Sequence, residues 1–200
     1  MRIFIGIDLD EEIRGRIARF LEGVSGFAPE ARWVRPESLH LTLKFIGEQK
    51  PEQVADIIQK LRQVQSSTCE IRFAGYGFFP TARAPRVFWI GIHAEPTLAE
   101  LATKIDAAVG ELGVLREERE FSPHLTLARA VGRSGDPKRR KGDGPNSTFA
   151  LLQKRLAAMG ELEFGTMTAD KFILYQSQLS PAGSKYTKLE RFAMQPAESH

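Results

Sequence analysis

The chain has 200 residues, 42% of them hydrophobic, which is enough to bury a core in one large domain or two small lobes and excludes a disordered chain. Its net charge of +3 and sequence pI of about 9.1 indicate a mildly basic surface, suited to a small acidic partner and not to coating nucleic acid. The single cysteine, Cys69, excludes an intrachain disulfide framework and cysteine-based zinc sites. No apolar run approaches the roughly 18 residues of a membrane span and no leader pattern is present, so we expect a cytoplasmic protein.

Short strands alternate with amphipathic helices along the whole chain. Strands are indicated by alternating or β-branched and aromatic runs, and helices by apolar residues that recur every three or four positions. Asp10 is a favourable N-cap, Pro51 a favourable first helical residue, and Gly47 a candidate strand end. In chain order, the pattern predicts a strand over 2–8, a helix from 10 to about 24, an extended piece over 32–35, a strand over 39–46, a helix over 51–65, strands over 69–79 and 86–93, a helix over 95–112, a strand over 121–130, a loop over 133–146, a helix over 147–159, and closing strands over 164–178 and 185–194.

This order of elements predicts an α+β fold. Strand pairs joined by short turns occur twice, at 81–85 and at 180–183, so antiparallel or mixed sheets with outer helices fit better than a doubly wound parallel sheet. The tetrapeptide His-Leu-Thr-Leu occurs in two of the predicted strands, and each of these strands follows a strand–helix unit. We therefore expect residues 1–200 to form one domain of two pseudo-symmetric, intertwined lobes.

The repeated tetrapeptide is His-Leu-Thr-Leu, at residues 40–43 and again at 124–127. Side chains alternate between the two faces of a strand, so His40 and Thr42 share one face and the two leucines share the other. His124 and Thr126 repeat the arrangement. Each copy therefore fixes its register with buried leucines and presents one imidazole and one hydroxyl.

Two imidazoles that face one cavity can act as a base and an acid at neutral pH. In-line displacement at phosphorus needs both, because one group takes a proton from the attacking water while the other protonates the departing ribose oxygen. A threonine hydroxyl can donate a hydrogen bond to a phosphate oxygen. A single histidine in a strand is more often structural, but the repetition favours the functional interpretation. Two histidines and two threonines are too few good ligands for zinc, and no H-E-x-x-H motif adds more, so we predict no metal site.

The chain resembles the RNA 2',3'-cyclic phosphodiesterases, formerly called 2'-5' RNA ligases, of the two-histidine (2H) phosphoesterase superfamily. Both tetrapeptides match the H-x-T-x signature of that superfamily, and their flanking residues narrow the resemblance to this family. The similar segments are 32–34, 37–47, 85–89, 121–129, 174–177 and 183–186.

The resemblance implies a bilobed fold with a central cleft, and opening of a terminal 2',3'-cyclic phosphate to a 2'-phosphomonoester without metal or cofactor. His40 would be the proton donor to the leaving O3' and His124 the proton acceptor that activates water. Thr42 and Thr126 would hold the phosphate. Arg129 lies where the family often has a phosphate-neutralising arginine, although strict alternation puts it on the leucine face, so this contact requires a strand end or a bulge.

Other polar and aromatic residues have weaker functional signals. His93 has no partner motif and is interpreted as structural or exposed, and His200 is discounted as terminal. The basic run at 138–141 could contact RNA backbone, although such runs are more often solvated loops. Trp33 and Tyr76 are candidates for stacking on a terminal base.

Three functions remain open from the sequence. The first is hydrolysis of RNA 2',3'-cyclic phosphate ends, the second is 2'-5' ligation of tRNA halves with the same residues, and the third is an RNA-end binding module without catalysis. The expected partner is RNA with a cyclic phosphate end or a small cyclic nucleotide. We expect a monomer that does not bind membranes.

Overall fold

A computed structural model describes residues 1–131, 147–180 and 183–196. The predicted basic loop at 138–141, part of the turn at 180–183, and His200 lie outside the described residues. The helices are α1 (Glu11–Val24), α2 (Pro51–Leu61), α3 (Pro96–Gly110) and α4 (Ala150–Met159), and the strands are β1 (Arg2–Asp8), β2 (Arg32–Trp33), β3 (His40–Glu48), β4 (Cys69–Phe79), β5 (Val87–Ala94), β6 (His124–Arg129), β7 (Glu163–Ala169), β8 (Lys171–Ser180) and β9 (Gly183–Ala193).

The strands form two antiparallel sheets, and each sheet contains one tetrapeptide strand. The four-stranded sheet has the order β3-β1-β8-β9, and the five-stranded sheet has the order β2-β6-β5-β4-β7. The chain passes between the sheets repeatedly, since β1 and β3 belong to one sheet and β2 to the other. The predicted α+β class is confirmed.

Helix α1 shows how the two sheets share one core. Asp10 caps the helix as predicted, because its side chain accepts a hydrogen bond of 2.8 Å from the amide of Ile13. The helix follows a strand of the four-stranded sheet but packs against β7 of the five-stranded sheet, where Phe20 contacts Phe164 at 5.1 Å between ring centroids. Among the described helices, none is both long and apolar enough to cross a membrane.

The predicted single strand over 164–178 is wrong. It is two strands, β7 and β8, which belong to different sheets and are separated only by Asp170. The end of β7 alternates between exposed and buried residues, whereas four consecutive residues of β8, from Phe172 to Tyr175, are buried. Ile173 and Tyr175 pack with Phe4 in a second apolar cluster, so β8 is covered on both faces. Each segment by itself has the pattern of a strand, and the pattern does not reveal that the chain changes sheets between them.

Several boundaries also differ from the predicted ones. Gly47 does not end its strand: with φ of +91° it continues the ladder and pairs with Ile3, and the strand extends to Glu48. Helix α2 ends at Leu61, four residues before the predicted end. Strand β6 begins at His124 instead of 121, directly after Pro123, which has no amide hydrogen to donate to a ladder.

Candidate active site

Both tetrapeptide strands contain a β-bulge at the same position. In β3 the pairing with β1 passes from Lys44 directly to Thr42, so that Leu43 has no partner of its own. In β6 the pairing with β5 likewise omits Leu127. The burial of the first six residues is identical in the two strands, with two consecutive inward-facing residues after the threonine. The two motifs are thus equivalent in backbone conformation as well as in sequence.

The bulges determine which residues come after the threonines on the histidine face. Because one residue is inserted, Lys44 and Ala128 point into the protein, and Phe45 and Arg129 return to the face of the histidines. The bulge that Arg129 requires is therefore present. Strands β3 and β6 lie against one another, and the positive charge of Arg129 lowers the pKa of His40, so the second motif's arginine is close to the first motif's histidine.

The two histidine rings are held by the same hydrogen bond. Nδ1 of His40 lies 2.8 Å from the carbonyl oxygen of Ser38, and Nδ1 of His124 lies 2.9 Å from that of Ser122. A carbonyl can only accept, so Nδ1 carries the hydrogen in both rings. Nε2 is left to exchange protons in each case, as acid–base chemistry on a shared substrate requires.

Aromatic side chains of the four-stranded sheet surround His40. Its ring lies 4.6 Å from Phe4, 4.9 Å from Tyr186 in an edge-on contact, and 5.8 Å from Tyr175. Burial is the largest cause that lowers the pKa of His40, while the Ser38 carbonyl and the nearby charge of Asp8 oppose this effect. Burial also raises the pKa of Tyr175 above its ordinary value.

Asp8 and Arg14 hold the backbone that precedes His40. Asp8 pairs with His40 across β1 and β3, and its carboxylate accepts hydrogen bonds from Arg14 at 2.5 Å and from Lys188. The Arg14 guanidinium also donates to the carbonyl oxygens of Pro36, at 2.6 Å, and Leu39, at 3.4 Å. These contacts fix the 3-10 turn over Pro36–Ser38, whose last carbonyl orients the imidazole.

His124 has a different aromatic environment. Phe79 contacts its ring edge-on at 5.0 Å, and Trp89 lies at 6.4 Å. The indole of Trp89 lies across Gly77, where a Cβ would come within 2.1 Å of it, so only glycine allows this placement. His124 is half-buried, as is Thr126, which pairs with Trp89 across the sheet.

The two threonines occupy matching positions beside the histidines. Thr42 is half-buried and pairs with Gly6, whose missing side chain lets the strands approach: a Cβ there would lie 2.7 Å from the Leu41 carbonyl oxygen. Two imidazoles, two hydroxyls and one guanidinium are thus presented by two adjacent strands. Such a set can bind a phosphate and transfer protons on both sides of it.

The two aromatic residues predicted as candidates for base stacking pack against the core of the five-stranded sheet. Trp33 packs edge-on against the buried Phe88 at 6.0 Å and donates from Nε1 to the Ala28 carbonyl, which directs it toward the core. Tyr76 also packs against Phe88, at 6.3 Å. Phe45, which strict alternation would have buried, is 63% exposed on the histidine face. Only the bulge at Leu43, which depends on pairing with β1, could have revealed it.

His93 and Cys69 are placed as predicted. His93 is exposed at the end of β5, with Nε2 3.3 Å from the carbonyl oxygen of Ala74. Cys69 is buried, unpaired, and has a raised thiol pKa because of that burial. Within the described part of the chain, no three His, Cys, Asp or Glu side chains cluster as metal ligands would.

Comparison with known proteins places this chain in a family. The sequence model of the LigT like phosphoesterases matches residues 7–89. An RNA 2',3'-cyclic phosphodiesterase from Archaeoglobus fulgidus is 34% identical over 192 residues, which cover 96% of this chain and 99% of that protein. The chain belongs to the RNA 2',3'-cyclic phosphodiesterase family of LigT-like phosphoesterases.

Solved structures agree with this assignment. TT0787 of Thermus thermophilus is 28% identical with a TM-score of 0.76, covering 99% of this chain and 100% of that one. E. coli LigT complexed with 3'-AMP is 25% identical with a TM-score of 0.72, covering 96% and 97% of the two chains. The predicted family, the fold class and an enzyme of the cyclic phosphodiesterase class are confirmed.

Proposed function

We propose that the protein hydrolyses 2',3'-cyclic phosphate ends of RNA to 2'-phosphomonoesters, with His40 as proton donor and His124 as proton acceptor. Thr42 and Thr126 hold the phosphate, and Arg129 neutralises its charge. The observation that carries this proposal is the equivalence of the two motif strands, which share the bulge, the burial pattern and the Nδ1–carbonyl hydrogen bond. It is supported by relatives named for this activity.

The reaction divides between the two imidazoles. Nε2 of His124 takes a proton from a water molecule whose oxygen forms the new bond to phosphorus. The bond from phosphorus to O3' breaks on the opposite side, and Nε2–H of His40 gives its proton to O3'. Before the next turnover, His124 must lose the proton that it took from water and His40 must regain the proton that it gave to O3'. Both exchanges take place with solvent. No step in this scheme requires a metal ion or a cofactor.

The surroundings of His40 suit a proton donor. Burial and two nearby arginines, Arg14 and Arg129, lower its pKa, which makes its protonated form a stronger acid. The negative charge of a bound phosphodiester acts in the opposite direction and favours the protonated form when substrate is present. The nearby negative charge of Asp8 also favours that form.

Phe45 provides a surface for the nucleoside of the substrate. Its exposed ring comes after Thr42 on the histidine face and contacts Phe4 at 6.0 Å, which limits its movement. Stacking of a base on an aromatic ring is worth about 1–3 kcal/mol and tolerates any base. E. coli LigT was crystallised with 3'-AMP, a nucleoside monophosphate, which is consistent with a nucleotide substrate here.

The remaining features of the proposal concern the whole chain. Residues 1–200 form one domain of two intertwined lobes, and the protein acts as a monomer on RNA ends or small cyclic nucleotides in the cytoplasm. The interleaved order of strands supports the single domain. Cys69, buried and unpaired, is consistent with a reducing compartment.

The test uses a short RNA with a 2',3'-cyclic phosphate end and phosphorus NMR of the product. His40→Ala and His124→Ala should each lower kcat by about 10²–10⁴-fold, the usual contribution of a general acid or base. His93→Ala, which removes an exposed histidine of the same sheet as His124, is the matched control and should retain full activity. Circular dichroism should show that all three variants are folded.

Several results would contradict the proposal. Full activity in either motif variant would exclude the paired-histidine mechanism, and a 3'-phosphate product would reverse the leaving oxygen. Activity lost with EDTA would show that a metal is required. Incubation with a 5'-hydroxyl RNA would reveal ligation by a joined product, and binding without hydrolysis would identify a non-catalytic binding module.

A further inference from the structure

Two arginines face each other across β2 and β6. Arg32 is the direct pairing partner of Arg129, so the two Cβ atoms are expected about 4.5–5.5 Å apart. Both residues are exposed. Like charges directly opposite one another destabilise a sheet, which makes this pair a poor choice for stability alone.

The pair lies on the histidine face of the five-stranded sheet. Directly paired residues point to the same side, and the bulge at Leu127 puts Arg129 on the side of His124 and Thr126. The opposite face at this position is core, since Ala128 is fully buried and its partner Trp33 packs against Phe88. Arg32 therefore adds a second guanidinium to this face, on the strand next to β6.

Charge balance at this position favours an anion. Among the described residues, neither Arg32 nor Arg129 has a carboxylate within ion-pair distance. Other arginines of the described residues do have one, for example Arg14, Arg16, Arg62, Arg72 and Arg116. A reacting cyclic phosphate carries a single negative charge, and Arg129 alone is enough to balance it. The second guanidinium is left for a second phosphate.

We propose that Arg32 binds the phosphodiester on the 5' side of the terminal nucleotide, while Arg129 serves the reacting phosphate. This inference rests on the proposed function and specifies its substrate class: an oligonucleotide of at least two residues is preferred over a nucleoside 2',3'-cyclic phosphate. A guanidinium recognises phosphate oxygens through a planar fork of donors, without regard to the base. The preference is therefore for chain length and not for sequence.

The experiment compares two substrates that share a terminal nucleoside. These are adenosine 2',3'-cyclic phosphate, which lacks a 5' phosphate, and the dinucleotide ApA with a 2',3'-cyclic phosphate end. Arg32→Ala should lower kcat/KM for the dinucleotide about tenfold, the size of one charged hydrogen bond, and change that for the mononucleotide less than about twofold. Arg32→Lys should recover part of the loss, because it keeps the charge but not the fork.

Arg19→Ala is the matched control, since Arg19 is an exposed arginine of helix α1, which packs mainly against β7 and the 3-10 turns, and should affect neither substrate. An equal loss on both substrates, or no loss on either, would overturn the second phosphate site. Affinities for adenosine 2'-phosphate and for ApA ending in a 2'-phosphate provide a measurement that does not need turnover. If the wild-type protein hydrolysed neither substrate, the proposed function would fail. The second phosphate site would still be supported if Arg32→Ala weakened binding of the dinucleotide product alone. It would be overturned if Arg32→Ala and the wild-type protein bound that dinucleotide equally well.

Discussion

A buried ion pair connects the first motif strand to the helix that precedes the second motif. Lys44 in β3 and Asp106 in α3 are 5% and 12% exposed, and their charged atoms lie 2.7 Å apart. Asp106 also accepts from Nε of Arg116 at 2.6 Å and from the amide of Glu117 at 3.0 Å. Asp106→Ala would leave the Lys44 ammonium buried, with the Leu115 carbonyl at 2.7 Å as its remaining partner among the described residues.

The expected loss of stability is large. Removing one partner of a buried pair costs about 3–5 kcal/mol, because the remaining charge is uncompensated. For a chain of this length, 1 kcal/mol corresponds to about 2–4 °C in Tm, so Asp106→Ala should lower Tm by roughly 6–20 °C. The matched control is Glu111→Ala, which breaks a pair with Lys60 whose side chains are 64% and 28% exposed and which should cost at most about 1 kcal/mol.

Thermal and urea unfolding of the purified variants measure this effect. Adding Lys44→Met to Asp106→Ala should restore much of the stability, since the unpaired charge is removed. Burial raises the pKa of Asp106, but hydrogen bonds from Lys44, Arg116 and the Glu117 amide outweigh it and hold the pKa below its usual value. The stabilisation is therefore complete above the unfolded pKa of about 3.9 and is lost as the pH falls through the folded value. Equal losses in Asp106→Ala and Glu111→Ala at pH 7 would refute the reasoning.

Two further predictions concern the site itself. Phe45→Ala should raise KM for cyclic-phosphate RNA about tenfold or more with little effect on kcat, while Phe45→Trp should retain affinity; unchanged KM in the alanine variant would exclude base stacking on this ring. Arg129→Gln should raise the pKa of His40, because the arginine charge lowers that pKa. The basic limb of the pH profile of kcat/KM should then shift to higher pH, whereas Arg129→Lys, which keeps the charge, should leave that limb in place. A shift of the acidic limb instead would assign His40 as the base.

The sequence alone was sufficient to predict the chemistry of the motif strands. The repeated His-Leu-Thr-Leu identifies two strands that each bury leucines and present a histidine and a threonine, because alternation is a local property of any strand. The helices and most strands were also predicted, since apolar spacing reflects local burial. These signals all depend on residues close together in the chain.

Tertiary structure decided the orientation of the residues immediately after each motif. Continued alternation from Leu43 would expose Lys44 and bury Phe45, and the bulge reverses both positions. A bulge is defined by two residues opposing one on a neighbouring strand, so it depends on a partner that the local sequence does not name.

The surroundings of the histidines depend on distant segments for the same reason. The ring of His40 is enclosed by Tyr175 and Tyr186, which lie far along the chain on β8 and β9, and Arg32 meets Arg129 only because β2 joins the sheet of the second motif. The sequence by itself determined which groups can perform the chemistry. Only the pairing of strands from separate parts of the chain decided which charges and aromatic rings those groups meet, since such contacts leave no periodic signal in the sequence.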